Sequence, residues 1–137
     1  MRVIIDTNIV LDVLLARSPF VESASRVFAL VERSKIEASL CATTVTTVHY
    51  LLTQSLSRSE GRRALRGLLT LFEIAPVNRP VIEEALRSKM EDFEDAVLEQ
   101  AGRLAGAEAI VTRNTKDFRK SSVKALDPTE LLLAVEM

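Results

Sequence analysis

Extended and helical stretches alternate along the whole chain, and no other feature limits its possible folds so strongly. Arg2 to Ile5 carries three consecutive β-branched residues, the pattern of a strand buried on both faces. Asp6-Thr7-Asn8 ends it, and Ile9 to Ala16 continues as a helix with Val10, Leu11, Val13 and Leu14 apolar. Ser18-Pro19 opens a second helix, running roughly from Phe20 to Arg33. Ile36, Ala38 and Leu40 alternate in a short second strand, and a third helix is expected over Thr43 to Leu56 despite its threonines. Ser57-Arg58-Ser59-Glu60 fits a capping box at the head of a fourth helix. Phe72 to Val77 reads as a third strand, and Asn78-Arg79-Pro80 opens a fifth helix reaching about Lys89.

The acids Glu91, Asp92, Glu94 and Asp95 begin a sixth helix, whose Ala101, Leu104 and Ala105 share an apolar face. Gly106 is placed to stop it in a left-handed cap. Ala107 to Val111 is a short buried strand, Thr112 to Phe118 a polar loop, and Val123 to Leu126 a last strand. Asp127-Pro128-Thr129-Glu130 supplies cap, N1 proline and N3 acid for a C-terminal helix. Such alternation implies a parallel sheet with right-handed crossovers, covered on both faces. The expected fold is α/β, a three-layer α/β/α sandwich around a central parallel sheet of about five strands, with residues 1–137 as a single domain. The order of the strands cannot be read from this pattern.

Composition narrows the function classes. One cysteine, Cys41, excludes a disulfide framework and a thiolate zinc cage, and is expected to be a small buried hydrophobe. No apolar run reaches membrane-spanning length, and the start lacks a secretory h-region, so no membrane association and a cytoplasmic location are expected. Tryptophan is absent, which argues against an aromatic platform for stacking bases. The four glycines fit neither a dinucleotide nor an NTPase phosphate loop.

The acids carry the chemistry. Asp6 lies just past the first strand, Asp92 and Asp95 at a helix start, and Asp117 beyond the strand that ends at Val111, with Asn8 and Asn114 as neutral oxygen donors. In an open α/β sheet these positions fall at the carboxyl edge, where ligands bind. Each acid alone is more simply a cap or a partner of a helix dipole. Asp12, one turn after Asn8, is expected to be a solvated or capping acid. Three carboxylates gathered at one edge would repel one another, a cost that a divalent cation removes. Oxygen donors without a histidine or cysteine cluster favour Mg²⁺ or Mn²⁺, and the chemistry that follows is metal-dependent phosphodiester hydrolysis. An aspartyl-nucleophile phosphatase would want Asp-x-Asp after the first strand, where Asn8 takes the second place.

Asp6-Thr7-Asn8, Asp92-Phe93-Glu94-Asp95-Ala96 and the run from Ile110 to Phe118 together resemble a PIN domain over nearly the whole chain. The resemblance implies an Mg²⁺- or Mn²⁺-dependent endoribonuclease, similar to VapC-type toxins of type II toxin–antitoxin pairs, with RNA as substrate, a homodimeric state and a protein antitoxin as partner. It also implies roles residue by residue. Asp6 matches the first metal-binding acid and Asp95 the third, and Asp92 is an extra acid one turn earlier that can share the metal. The fourth position falls to Asn114 or Asp117, while Asn8 and Thr112 match polar residues supporting the site. One departure stands out: the glutamate expected early in the third helix is replaced by Thr47, and no acid occurs from Ala38 to Ser59. The same resemblance therefore admits a weakened or inactive fold member that binds RNA or protein.

Two basic groups stand out. Arg113, Lys116, Arg119 and Lys120 flank the candidate acids and are the better RNA-backbone contacts, whereas Arg58, Arg62 and Arg66 form a stripe on the fourth helix that reads as a solvated face. His49, the only histidine, is expected to be packed or exposed and not a base.

Overall fold

The computed structural model describes residues 1–136. Five parallel strands, β1 (Arg2–Ile5), β2 (Glu37–Cys41), β3 (Glu73–Ala75), β4 (Ala109–Val111) and β5 (Lys124–Leu126), form one sheet in the order β3-β2-β1-β4-β5. Among the described residues seven helices connect or follow them: α1 (Thr7–Leu14), α2 (Val21–Glu32), α3 (Ala42–Leu52), α4 (Arg58–Leu71), α5 (Arg79–Arg87), α6 (Phe93–Leu104) and α7 (Pro128–Glu136). A short 3-10 helix, Thr115–Phe118, lies between β4 and β5.

The pleat of β1 divides the core. Val3 and Ile5 pack with residues of α1, α2, α3, α4 and α7, while Ile4, between them, joins Val81 and Ala85 of α5 and Ala96, Val97 and Ala101 of α6. A strand buried on both faces has no reason to alternate with polar residues, which is why Val3-Ile4-Ile5 is an unbroken apolar run. The sheet is therefore sandwiched between two helical layers, as the alternation implied. Among the described residues no helix is long and apolar enough to cross a membrane.

Local chemistry sets most of the boundaries. Ser57 and Glu60 form the reciprocal capping box at α4, and Asp127 and Glu130 exchange equivalent bonds at the head of α7. Gly106 takes φ +83° just past α6, the left-handed stop that its position foretold. Several expected boundaries shift inwards. The third helix ends at Leu52 and not near Leu56, with Thr53 as its C-cap. The third strand is only Glu73–Ala75, because Phe72 belongs to the end of α4, where its ring meets Phe28 edge-on at 5.0 Å, and Pro76 offers no N–H to a ladder. The fourth strand starts at Ala109, two residues after the expected Ala107.

Candidate metal centre

The strand order sets the site. From β1 the chain moves outward to β2 and β3, then returns past β1 to β4 and β5, so β1 and β4 are neighbours at the point where the winding reverses. A doubly wound sheet opens a crevice between the loops that leave two such strands at their carboxyl ends. Here those loops carry Asp6 and the run that starts at Thr112. The Asp6 N–H donates to the Val111 carbonyl at 2.9 Å, fixing the end of β1 against the end of β4.

Asp6 is held from several sides. It caps α1, one carboxylate oxygen accepting the Thr7 N–H at 2.8 Å. Its other oxygen accepts the Thr112 hydroxyl at 2.8 Å and the Asn8 side-chain amide at 3.3 Å. Asn8 and Thr112 thus orient the carboxylate, as supporting residues would. Burial nonetheless raises the Asp6 pKa, and Glu94 and Asp117 add repulsion, against the lowering effect of the Thr112 and Thr7 bonds.

The second group of acids sits at the amino end of α6. Asp92 caps that helix by accepting the Asp95 N–H at 2.9 Å, so the cap role weighed for it from sequence is the one it performs, and one oxygen is engaged there. Asp95 stands half-buried behind it. Burial pushes its pKa to about 7, reinforced by the charges of Asp6, Asp92, Asp117 and Glu94. Asp92, Asp95 and Asp117 line a groove of about 410 Å³ together with Glu91, Lys116, Arg119 and Lys120. A larger cavity, about 550 Å³, opens near the amino ends of β1 and β2 and contains none of the candidate acids, so its size does not make it the site.

Asn114 and Asp117 are both exposed, on the loop and on the 3-10 helix that follows it. The Asn114 N–H donates to the Thr112 hydroxyl oxygen at 3.0 Å, and the Asp117 N–H to the Asn114 carbonyl at 2.9 Å, so both side chains are placed by one folded turn. Among the described residues no three Asp, Glu, His or Cys side chains are gathered closely enough to enclose one ion. Glu94 and Asp117 lie near enough to help raise the Asp6 pKa, and Asp6, Asp92, Asp117 and Glu94 near enough to help raise that of Asp95. Oxygen-only donors that repel in this way suit Mg²⁺ or Mn²⁺, which would have to draw them together on binding.

The basic residues divide. Arg113 turns inward: its guanidinium donates to Asp12 from Nε at 2.7 Å and Nη2 at 3.3 Å and stands 3.9 Å from the centre of the Phe20 ring. It is engaged within the protein, in an ion pair that its sequence position did not show. Lys120 reaches Glu91 at 3.4 Å, whereas Lys116 and Arg119 form no ion pair among the described residues. Thr47 donates its hydroxyl to the Thr43 carbonyl at 3.1 Å, within its own helix. His49 packs against Gly61 of α4, with Nε2 buried and unpartnered. Cys41 is buried, its Sγ 3.1 Å from the Thr43 hydroxyl.

Two charged residues matter here in ways the sequence reading did not reach. Asp12 is 0% exposed, neither solvated nor a cap, and it also accepts from Arg17 Nε at 2.9 Å. Glu99 is 1% exposed and accepts from the Ser88 hydroxyl, the Gln100 amide and both the N–H and hydroxyl of Ser122. A signal for Asp12 existed: an acid inside the apolar run from Ile9 to Leu15 needs a cation, and Arg17 follows five residues later. For Glu99 no local signal existed, since its partners lie in other segments.

A family model described as a PIN domain matches residues 2–116. Comparison with curated proteins by sequence gives no match. Among solved structures, the chain resembles one in a toxin–antitoxin complex from Klebsiella pneumoniae, with TM-score 0.70 and 23% identity over 92% of this chain and 97% of the other. It also resembles one in DNA-bound VapBC from Salmonella typhimurium, at TM-score 0.72 and 14% identity over 93% and 98%. A third is the sarcin-ricin loop cleaving toxin VapC20 of Mycobacterium tuberculosis, at TM-score 0.63 and 18% identity over 79% and 86%. At these identities the likeness is one of fold.

Proposed function

Since the chain belongs to the PIN domain family, we propose that it is an Mg²⁺- or Mn²⁺-dependent endoribonuclease acting as the toxin of a type II toxin–antitoxin pair. The observation that supports this reading is the placement of Asp95 and Asp117 on one groove, with Asp6 near enough that its charge and that of Asp117 add to the raised pKa of Asp95. Resemblance to chains from toxin–antitoxin complexes, and to a toxin described as cleaving the sarcin-ricin loop, supports the choice of RNA and of an antitoxin partner. Cytoplasmic action and a homodimer are parts of the same proposal, the second to be checked by light scattering.

In this reading Asp6, Asp95 and either Asn114 or Asp117 hold the cation, with the oxygen of Asp92 that does not cap α6 available beside them. A divalent ion held there would supply charge stabilisation at the phosphate and lower the pKa of a water, the chemistry that phosphodiester hydrolysis needs. The protein's own residues do the rest. Thr112, Thr7 and Asn8 hold the Asp6 carboxylate in one orientation by three hydrogen bonds. Lys116 and Arg119, exposed and without ion pairs among the described residues, bind the RNA backbone through its phosphates. Asp95→Asn abolishes cleavage of a labelled RNA pool while leaving the melting temperature within a few degrees. Cleavage at the wild-type rate by this variant removes Asp95 from the site.

A second reading rests on Thr47. Its hydroxyl is turned back onto the Thr43 carbonyl, and α3 carries no acid at all, so the site lacks one negative charge that the family resemblance implies. A weakened or silent PIN fold that binds RNA or protein would follow. Thr47→Glu separates the two: activity that emerges only with the added acid favours the second reading, and activity already present in the wild type favours the first.

A further inference from the structure

The loop that brings Asn114 and Asp117 to the crevice is gripped at both ends by buried carboxylates that do not line it. At its start, Arg113 joins two elements. Its guanidinium makes a two-pronged contact with Asp12 on α1, and its N–H donates to the Asn8 side chain at 3.3 Å. Asp12 in turn accepts from Arg17, whose Nη2 reaches the Asn8 carbonyl at 3.3 Å, so the helix that follows Asp6 is tied to the loop through one fully buried acid. Phe20 closes the outer side of the Arg113 guanidinium. At the far end, Glu99 accepts the Ser122 N–H at 2.7 Å and its hydroxyl at 3.2 Å. Glu99 is one turn after Asp95 on α6, which makes that grip a direct link between the helix carrying Asp95 and the loop carrying Asp117. Between the ends only Phe118 is buried in the core.

We propose that Asp12 and Glu99 are positioning residues, a two-ended clamp that sets the Asn114–Asp117 turn against Asp6 on one side and Asp95 on the other. The proposal rests on the metal-site reading above for its consequence, though not for its mechanical content. A site built from acids that repel one another, on a loop with a single core anchor, does not hold its spacing unaided. A guanidinium fork on a carboxylate fixes direction as well as distance, which a lysine would not. A buried carboxylate satisfied by four donors fixes the other end.

Two measurements test it, both made well below each variant's melting temperature. The first is amide hydrogen exchange in protein without added metal; the second is Mn²⁺ affinity by calorimetry. Asp12→Asn is expected to speed exchange at residues 114–118, and Glu99→Gln at residues 119–122, with β1 and the body of α6 unchanged. Each is expected to weaken Mn²⁺ binding by about tenfold, the scale of an outer-sphere partner lost from a metal site. The pair Asp12→Asn/Arg113→Gln removes one charge of each sign, so a weakened affinity there is not a change of net charge, and adding Arg17→Gln removes the second guanidinium that Asp12 pairs. Arg113→Lys, which keeps the charge and loses the fork, guards against variants that do not fold and is expected to fall between. Lowered melting temperatures with unchanged exchange in the loop and unchanged affinity would make both acids merely structural and overturn the clamp. A wild type that binds no Mn²⁺ would sink the metal-site reading, and the exchange pattern alone would then decide the clamp.

Discussion

Asp95 is the residue on which the electrostatics turn. In the unfolded chain it titrates near 3.8, and in the folded protein near 7, because burial and four neighbouring acids disfavour its charge. The sign follows. Below about pH 4 the group is protonated in both states and costs nothing; as pH rises the unfolded chain loses its proton first, so stability falls until about pH 7 and then levels. Solvent screening of a half-buried group leaves about 1–2 kcal/mol of this effect. Asp95→Asn should therefore melt higher than wild type at pH 8 without metal, and the gap should close near pH 4. Thermal melts across that range check it, and Mn²⁺ should stabilise the wild type at pH 8 but not the variant. At this scale the sequence placed Asp6 and Asn8 together at one turn, whereas the Thr112 hydroxyl reaches Asp6 only because β1 and β4 are neighbours, which local sequence does not state. The ion pair of Arg113 was not legible, because its partner lies 101 positions away.

Elements show where packing overrides pattern. Gly102 lies within α6, where alanine would be the better helix former by about 1 kcal/mol. A Cβ there would lie 2.7 Å from Cγ2 of Ile4 on the central strand, so the glycine lets α6 approach the sheet closely. Gly102→Ala is expected to destabilise the protein by about 1–3 kcal/mol despite its propensity gain, measured by denaturant titration. Nothing local marked this, as glycine reads as a helix weakness until the opposing strand is in place. Glu99 gives a contrasting pH dependence. Burial alone would raise its pKa, but donors from Ser122, Gln100 and Ser88 outweigh it and hold the carboxyl below the ordinary range. Its contribution is present above the unfolded pKa and is lost as pH falls through the folded one. Glu99→Gln should cost about 2–4 kcal/mol at neutral pH and progressively less in acid. The caps were legible because each is written within four residues, as at Ser57–Glu60 and Asp127–Glu130. The end of α3 was not, because no glycine, proline or capping box marks it between Leu52 and Ser57.

At the scale of the molecule, alternation fixed the layers and parallel pairing but left the strand order open. The order β3-β2-β1-β4-β5 is what turns scattered acids into neighbours, by placing the reversal of winding between the strands that precede Asp6 and Thr112. The groove there, lined by Asp92, Asp95 and Asp117 and by Lys116 and Arg119, which form no ion pair among the described residues, is the arrangement that the proposed phosphodiester chemistry needs. The most direct test is cleavage of a labelled RNA pool by the purified protein in Mn²⁺, run beside EDTA and Asp6→Asn. The account predicts endonucleolytic cuts in Mn²⁺ alone, lost in both controls. Cuts that persist in EDTA or in Asp6→Asn would contradict it, as would an intact pool when calorimetry shows no bound Mn²⁺.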